Sequence, residues 1–366
     1  MTTVGEIRDK TDIKMDHERE LPFDPDNFDF SSSSTESFLS FLQSQKVSLA
    51  VTSYDCQRLI IFREKNNQLD THLVPVARPR GVAVTAGRLT VAAYTEIINY
   101  ARHDNLLERL KPEDKDQADS LFLPLNKHIT GEINVHDIAW GTEGLWLVNS
   151  RFSCLCTLQP DLSFKPRWFP PFIDGPTGDG AGHLNGMAMD NGKPAYVTCF
   201  GAFFGGQDWK NLASLETGLL IDVQRDEIVL DGMWMPHSPR VYQGKVYLCN
   251  SGYGEVICYD PVTKKSKVIL TLPGFTRAIT FWGGYMLVCC SKIRQSDAKA
   301  KMPVADRVNE NYAGVYIVNL TDYSIVAYNR FDGDVSQLYD IAIIPDSQHP
   351  MVPSMNDQLL KDLFVY

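Results

Sequence analysis

The sequence has no apolar run of about 18 residues, the length that a membrane-spanning helix requires. Residues 1–20 are charged, whereas a signal peptide is apolar. Positive charge is also scarce, since 35 Lys and Arg stand against 45 Asp and Glu, giving a net charge of −10 without any local basic patch. We therefore expect a cytoplasmic protein that binds neither membranes nor nucleic acid.

Several signatures of catalysis and metal binding are also missing. The eight cysteines form no CxxC pair, which argues against a cysteine zinc site. Six of them lie in apolar, strand-like runs, where Cys behaves as a small buried hydrophobe. There is no GxSxG nucleophile elbow, no HExxH spacing and no nucleotide-cofactor motif. Nucleophilic catalysis by Ser or Cys is therefore disfavoured.

Both ends of the chain differ from its middle. Residues 1–32 are polar and acidic without apolar periodicity, which predicts a flexible tail. Residues 33–46 are predicted to form a short helix, because Ser33 and Glu36 have the spacing of a capping box. Four residues give this helix an apolar face: Phe38, Leu39, Phe41 and Leu42. Residues 347–366 follow the last predicted strand as a C-terminal extension.

Residues 47–346 consist of short apolar runs separated by turn residues, which indicates an all-β domain. A two-strand unit recurs along it: 80–84 with 89–94, 136–140 with 145–150, 185–189 with 195–200, 237–241 with 246–251, and 277–281 with 286–291. A sixth first strand, 339–343, has no following partner, and 48–54 near the N-terminus supplies one. Six units of about 40–50 residues predict a six-bladed β-propeller closed by pairing of its N- and C-terminal strands.

The first position of every first strand is polar, although the third and fifth positions are mostly bulky and apolar. The six residues are Arg80, His136, Asn185, His237, Arg277 and Tyr339. Because the innermost strands of a propeller surround its axis, we expect these side chains to meet at one mouth of the central channel. We assign His136, His237 and Tyr339 to catalysis and the two arginines and Asn185 to substrate binding.

Further candidates are expected at the same mouth. His183 follows the loop 166–182 and is assigned to catalysis. Arg151 and Asn250 lie at the ends of second strands, which reach this mouth because they run antiparallel to the first strands. Both are assigned to substrate binding.

Three charged residues occupy positions that are small in most units: Asp137, Arg240 and Asp340. Asp137 is the candidate to orient the neighbouring imidazole of His136. Arg240 and Asp340 are assigned to substrate binding. The alternative is that Arg240 and the two aspartates pair with one another across blades.

Five motifs support this interpretation: HDIA at 136–139, HLNGMAM at 183–189, MPHSPR at 235–240, SGYGE at 251–255 and PGFTR at 273–277. Over residues 38–345 the chain resembles a family of hypothetical bacterial proteins predicted to be propellers, some with tetratricopeptide repeats attached. This resemblance implies the fold and brings no assigned reaction. The repeated unit is also loosely similar to NHL-repeat, gluconolactonase and strictosidine-synthase propellers. The calcium ligands of the lactonases have no counterpart here, which argues against calcium-dependent lactone hydrolysis.

Our first hypothesis is an enzyme that acts on a small polar or anionic metabolite. Arginines suit a carboxylate or phosphate, histidines suit acid–base chemistry, and Tyr339 suits donation to an oxyanion. The reaction class stays open among lyase, isomerase, hydrolase and oxygenase. A variant places one Zn²⁺ or Fe²⁺ on three imidazoles, those of His136, His183 and His237.

Our second hypothesis is a propeller that binds a ligand or protein through this face without catalysis. Residues 166–182 and 201–213 are rich in aromatic side chains, which form either a lid or a patch for a protein partner: Trp168, Phe169, Phe172, Phe203, Phe204 and Trp209. The sequence carries no signal for the oligomeric state.

Overall fold

The computed structural model describes residues 27–115, 117–176, 178–205, 208–293 and 301–365. They form six antiparallel β-sheets, the blades of a propeller. From the axis outward, the strands of blade 1 are Val82–Thr85, Arg88–Ala92, Glu96–Arg102 and Ser120–Ile129. Those of blade 2 are Val135–Gly141, Gly144–Asn149, Cys154–Gln159 and Leu162–Trp168. Those of blade 3 are Leu184–Asp190, Lys193–Cys199, Gly218–Asp222 and Glu227–Met233. The strands of blade 4 are Pro236–Tyr242, Lys245–Asn250, Glu255–Asp260 and Lys265–Thr271. Those of blade 5 are Phe275–Trp282, Tyr285–Ser291, Ala313–Asn319 and Ile325–Phe331. Those of blade 6 are Leu338–Pro345, Val47–Ser53, Arg58–Lys65 and Gln68–Pro75. The predicted six-bladed propeller is confirmed.

Blade 6 joins the two ends of the domain. Its innermost strand, Leu338–Pro345, comes from the C-terminal side, and Val47–Ser53 pairs with it antiparallel, with Val51 opposite Ile341. Backbone hydrogen bonds therefore close the ring and protect the strand edges that would otherwise meet solvent at the seam. This is the closure that the unpaired strand at 339–343 predicts.

The apolar core is divided into layers between neighbouring blades. Each of the six interfaces has its own cluster of buried aliphatic and aromatic side chains. Between blades 2 and 3, for example, Trp146 and Val148 pack against Leu184 and Met187. All eight cysteines are buried as free thiols. Stability is therefore distributed around the ring.

The N-terminal segment differs from the prediction. Residues 1–26 of the expected flexible tail lie outside the described residues, but residues 27–32 are docked. Phe28 and Phe30 pack on the core, and Ser32–Ser34 adds a fifth strand to blade 5. The helix spans Glu36–Gln45 rather than 33–46, because the preceding serines are engaged in this strand.

The predicted capping box is also wrong. Thr35 is the N-cap residue, and its hydroxyl donates to the Tyr328 carbonyl of blade 5 instead of capping the helix. The apolar face is otherwise as expected, since Phe38, Phe41 and Leu42 are buried on blades 5 and 6.

Short helical segments lie in loops and in the C-terminal extension of the described chain. They are the α-helical turn Pro112–Lys115 and the 3₁₀ segments Asp104–Arg109, Asp208–Asn211, Ser251–Tyr253, Pro303–Asp306 and Gln358–Lys361. The extension also supplies Pro350–Met351, which pairs parallel to the outer strand of blade 1. No helix in the described ranges is both long and apolar enough to span a bilayer.

Small residues allow the innermost strands to approach closely. At Gly186 of blade 3, an added methyl group would lie 2.6 Å from Cδ of Pro239 and 2.7 Å from the Ser238 nitrogen, both in blade 4. Neither neighbour is a flexible side-chain end. Gly186 is therefore required by the contact between two blades.

We predict that Gly186→Ala destabilises the propeller by about 1–3 kcal/mol, the usual cost of overpacking a rigid contact. The matched control is Gly87→Ala, whose added methyl meets no atom within 4 Å. Thermal unfolding of both variants measures the difference. Equal midpoints for the two variants would show that blades 3 and 4 have room to separate.

Candidate functional site

The structure connects five of the six polar strand-start residues through ring and guanidinium contacts at one end of the channel. The sixth, Asn185, follows Leu184, whose carbonyl accepts from the Ser150 hydroxyl that contacts His136. His136, Asn185, His237 and Tyr339 are buried. The Tyr339 ring of blade 6 is the centre of a cluster: its centroid lies 5.6 Å from the His136 ring, 4.1 Å from the Arg277 guanidinium carbon and 5.5 Å from that of Arg80. Residues from blades 1, 2, 5 and 6 thus converge on the axis.

The mouth is walled by a chain of aromatic rings. From Tyr339 it runs through His136, His183, Phe200, His237 and Phe275, with successive centroids 5.6, 5.2, 4.4, 5.6 and 5.4 Å apart. The Arg277 guanidinium, 5.7 Å from the Phe275 ring, closes the circuit back to Tyr339. Sequence reasoning missed the roles of Phe200 and Phe275, although Phe275 lies within the PGFTR motif and Phe200 ends the predicted second strand 195–200.

His136 and His237 are held in the same way. Nδ1 of His136 is 3.0 Å from the Asn134 carbonyl and 2.6 Å from the Ser150 hydroxyl. Nδ1 of His237 is 2.8 Å from both the Met235 carbonyl and the Ser251 hydroxyl. Because a carbonyl only accepts, Nδ1 carries the hydrogen and Nε2 of the neutral imidazole carries the lone pair.

The protonation state of His136 follows from its surroundings. Burial lowers its pKa well below the ordinary value of 6.5, and the nearby charge of Arg80 and the imidazole of His183 lower it further. The imidazole is therefore neutral near pH 7. Its Nε2 lone pair is available as a hydrogen-bond acceptor or as a base.

The chain enters the innermost strands of blades 1 to 4 through a repeated left-handed turn. The turn residue lies two positions before the strand-start residue: Arg78, Asn134, His183 and Met235, with φ of 41°, 57°, 49° and 51°. In blades 2 and 4 this turn aims a carbonyl at the histidine Nδ1. For non-glycine residues this conformation costs about 1–3 kcal/mol, and such positions concentrate at functional sites.

Two buried polar side chains at the mouth are unsatisfied. Within the described residues, the Tyr339 hydroxyl and both amide atoms of Asn185 have no hydrogen-bond partner. Leaving a buried donor or acceptor unpaired costs about 1–3 kcal/mol. These groups therefore have hydrogen-bonding capacity for water or a ligand.

Asp137, Arg240 and Asp340 form an ion triad across blades 2, 4 and 6. Arg240 Nη1 lies 2.8 Å from Asp137 Oδ2, and Nη2 lies 3.4 Å from Asp340 Oδ1. Asp137 also accepts from the Met187 amide of blade 3, and Asp340 accepts from the Val82 amide of blade 1. The triad thus links five of the six blades.

The triad holds two carboxylates against one guanidinium. Burial, followed by the charge of Asp137, raises the pKa of Asp340 to about 7, although Arg240 opposes this shift. Two buried carboxylates repel each other when both are ionised, and here a single cation stabilises both of them. We therefore expect burial of both aspartates to depend on the guanidinium of Arg240.

Several expected site residues have hydrogen-bond or ion-pair partners within the protein. Asp137 does not orient His136, whose Nδ1 faces a backbone carbonyl, and Arg240 and Asp340 are paired within the triad. Arg151 donates to the Glu132 and Gly178 carbonyls and thereby fixes a loop. The Asn250 side chain accepts from the Trp234 amide and donates to Glu255.

The three-histidine metal site expected from the sequence does not form. Within the described residues, no three His, Cys, Asp or Glu side chains are grouped as metal ligands. The Phe200 ring stacks on His183 and also contacts His237, so it lies between these two imidazoles. His136 and His183 alone are neighbours.

Five of the six aromatic side chains expected in the two loops pack on the propeller, and Phe204 is the exception. Trp209 lies across His183 and Phe200 at ring distances of 5.6 and 5.4 Å and so covers part of the mouth. Phe169 and Phe172 pack into the layers of blades 1 to 3, and Trp168 ends a strand rather than lying in a loop. Phe204 is 77% exposed.

A separate cavity of about 360 Å³ lies beneath the C-terminal segment and is lined by His72, His349 and Arg63 among others. His72 and His349 face the carbonyls of Val352 and Glu64, and Arg63 pairs with Asp70. These polar groups hold the C-terminal segment against blade 6. The axial mouth is therefore the better candidate site.

None of the curated protein sequences matches this chain. It is similar to a chain in a crystal structure of a nidogen/laminin complex, with 12% identity, a TM-score of 0.49, and coverage of 82% of this chain and 99% of that one. It is also similar to a protein of unknown function from Bacteroides caccae, with 9% identity, a TM-score of 0.49, and coverage of 81% and 98%. The family described as Domain of unknown function (DUF4915) matches residues 36–352, so the chain belongs to this family.

Proposed function

We propose that the axial mouth binds a small anionic metabolite and that the protein is an enzyme using His136 as a general base. One observation carries the proposal: two arginines share the Tyr339 ring in a mouth whose Tyr339 and Asn185 polar atoms lack partners among the described residues. The polar atoms of Tyr339 and Asn185 are costly to bury unless something binds them. An anionic ligand would bond to these atoms and also complement the charge of the two arginines.

The charge of the mouth is divided between two halves. Arg80 and Arg277 lie in blades 1 and 5 on either side of Tyr339, and their charges reach His136 strongly enough to lower its pKa. Guanidinium groups bind carboxylates and phosphates through charge-assisted hydrogen bonds. The half formed by blades 5, 6 and 1 is therefore the anion-binding half.

The opposite half carries the imidazole of His136, which is neutral near pH 7. In His136 the hydrogen on Nδ1 is directed to the Asn134 carbonyl, so the Nε2 lone pair can accept a proton from a bound substrate. The resulting imidazolium would lie near two arginines, which favours rapid return of the proton to the substrate or product. Proton transfer within the bound metabolite is the reaction type that this arrangement supports.

Binding without catalysis is a second candidate. It is favoured by the engagement of Asp137 and Asp340 in the ion triad, because neither carboxylate then supports a histidine. Under this alternative the same residues recognise the anion, and no bond changes.

Turnover and binding measurements distinguish the two candidates. Purified protein is incubated with D-gluconate, L-malate, glucose 6-phosphate and glycerol 3-phosphate, and conversion is followed by NMR while binding is followed by thermal shift. We expect one of these probes to be consumed and His136→Phe to slow its conversion by about 10²–10⁴-fold. His128→Phe, on the outer strand of blade 1, is the control and should keep full activity.

Each outcome has a separate meaning. A thermal shift that Arg277→Met removes, without conversion of any probe, would support the binding alternative and contradict the enzyme. Neither conversion nor a thermal shift that depends on Arg277 would contradict both candidates. The melting temperature of His136→Phe without ligand should stay close to that of the native protein, so that its loss of activity reflects the missing imidazole and not unfolding.

A further inference from the structure

We propose that the anion bound at the axial mouth is polyhydroxylated, a sugar acid or a sugar phosphate. This inference rests on the proposed function, because it describes the part of the ligand that faces away from Arg80 and Arg277. It follows from the hydrogen-bonding character of the opposite half of the mouth, formed by blades 2, 3 and 4.

The first step concerns the two histidines. The Asn134 and Met235 carbonyls each accept from Nδ1 of the neighbouring histidine. In His136, whose imidazole is neutral near pH 7, this leaves Nε2 with a lone pair. The left-handed turns at Asn134 and Met235 make the arrangement part of the backbone. A ligand that contacts Nε2 of His136 must therefore provide a hydrogen-bond donor.

The second step excludes charged donors. The guanidinium carbons of Arg80 and Arg277 lie 5.5 and 4.1 Å from the centroid of the Tyr339 ring, which is 5.6 Å from that of His136. An ammonium or guanidinium group in the same space would be disfavoured by the same two charges. The donors must therefore be neutral, as hydroxyl groups are.

The third step concerns Asn185 and Tyr339. Within the described part of the chain, the Asn185 amide has both its donor and its acceptor unsatisfied, and the Tyr339 hydroxyl lacks a partner. A hydroxyl group can donate and accept at once, so it serves imidazole, amide and phenol alike. Several hydroxyls on one ligand match several such groups in one mouth.

The aromatic wall agrees with this ligand class. Phe200 and Phe275 separate the polar side chains around the mouth, and Trp209 lies over Phe200. The C–H faces of a carbohydrate pack against aromatic rings while its hydroxyls bond to polar groups between them. A purely apolar anion would leave those polar groups unpaired, which costs affinity.

Matched probe pairs test the inference by isothermal titration calorimetry. D-Gluconate is compared with hexanoate, and glucose 6-phosphate with hexyl phosphate, so that each pair shares its charge and differs in hydroxyl groups; sorbitol is the neutral polyol. We expect the hydroxylated member to bind at least tenfold more tightly in at least one pair and sorbitol to bind more weakly than either anion. Asn185→Leu should remove this preference without weakening the binding of hexanoate or hexyl phosphate.

The failures of the two proposals are distinguishable. Equal affinities within both pairs, with binding that still depends on Arg277, would overturn the polyol inference and leave the anion site standing. Binding that Arg277→Met does not change, or no binding of any anion, would overturn the anion site and with it the polyol inference. If Asn185→Leu unfolds, Asn185→Asp serves instead. Its added negative charge should weaken the binding of both anions in a pair. The tenfold preference for the hydroxylated anion should fall only if the Asn185 amide donor contacts hydroxyl groups.

Discussion

Arg240→Met should destabilise the propeller by about 3–5 kcal/mol, because removing one partner of a buried ion pair leaves an uncompensated charge. Here it would leave two carboxylates, those of Asp137 and Asp340, with side chains only 4% and 3% exposed. Arg240 also donates to the Met187 carbonyl, so blade 3 would lose a contact as well. Thermal and denaturant unfolding of the variant measure the loss.

The control is Arg167→Met, which removes an ion pair with Glu143 whose side chains are 32% and 40% exposed. Exposed pairs contribute about 0–1 kcal/mol, so this variant should unfold close to the native protein. A loss in Arg240→Met no larger than in Arg167→Met would show that the triad does not hold the channel together.

The deficit of Arg240→Met should also depend on pH. The pKa of Asp340 is already raised to about 7 in the native fold, above the ordinary value of 3.8 for a carboxyl. A group with a raised folded-state pKa contributes stability at low pH and loses it as the pH rises through that pKa. Removing the Arg240 cation should raise the pKa of Asp340 further. The loss of stability in Arg240→Met should therefore become smaller as the pH falls from 8 to 5.

The double variant Arg80→Met/Arg277→Met should lower the affinity for glucose 6-phosphate by about 10²–10⁴-fold. Each hydrogen bond to a charged group contributes about 1.5–3 kcal/mol, and every 1.4 kcal/mol is a factor of ten. Isothermal titration calorimetry measures the change, and each single variant should account for part of it. Because both side chains are half-buried at the mouth and outside the ion triad, stability should change much less than affinity.

The control for this experiment is Arg307→Met. Arg307 pairs with Glu255 and its side chain is 46% exposed. Arg307→Met therefore removes one positive charge, as each single arginine variant does, without changing the mouth. An affinity loss of similar size in Arg307→Met would mean that the anion responds to overall charge, and the assigned arginines would lose their role.

The fold could be predicted because its determinants are local and repeated. Alternating apolar residues and turn residues specify each strand, and six similar units specify the ring. Even the closure could be predicted, since 339–343 lacked a partner that 48–54 could supply. The capping box failed for the opposite reason: Ser32–Ser34 is engaged by blade 5, a contact between distant parts of the chain.

The site was predictable only in part. The polar residue at each strand start identifies the mouth, and the spacing of 14 residues from His136 to Ser150 and from His237 to Ser251 could have revealed their shared support. By contrast, the position of Phe200 between His183 and His237 depends on packing across blades. No local pattern encodes such a contact, and the expected metal site failed because of it.

The ion triad shows the same limit. Unusual charges at Asp137, Arg240 and Asp340 were evident, but each aspartate is about 100 residues from Arg240 and meets it only across the axis. The sequence offered both a ligand role and mutual pairing, and only the distances between the side chains decide for pairing.

The most direct test of the anion site is a crystal structure of the full chain with glucose 6-phosphate. We predict the phosphate between Arg80 and Arg277 beside Tyr339, with the sugar directed toward His136 and Asn185. Glucose 6-phosphate bound elsewhere, for example in the cavity beneath the C-terminal segment, with only water at the mouth, would contradict the account.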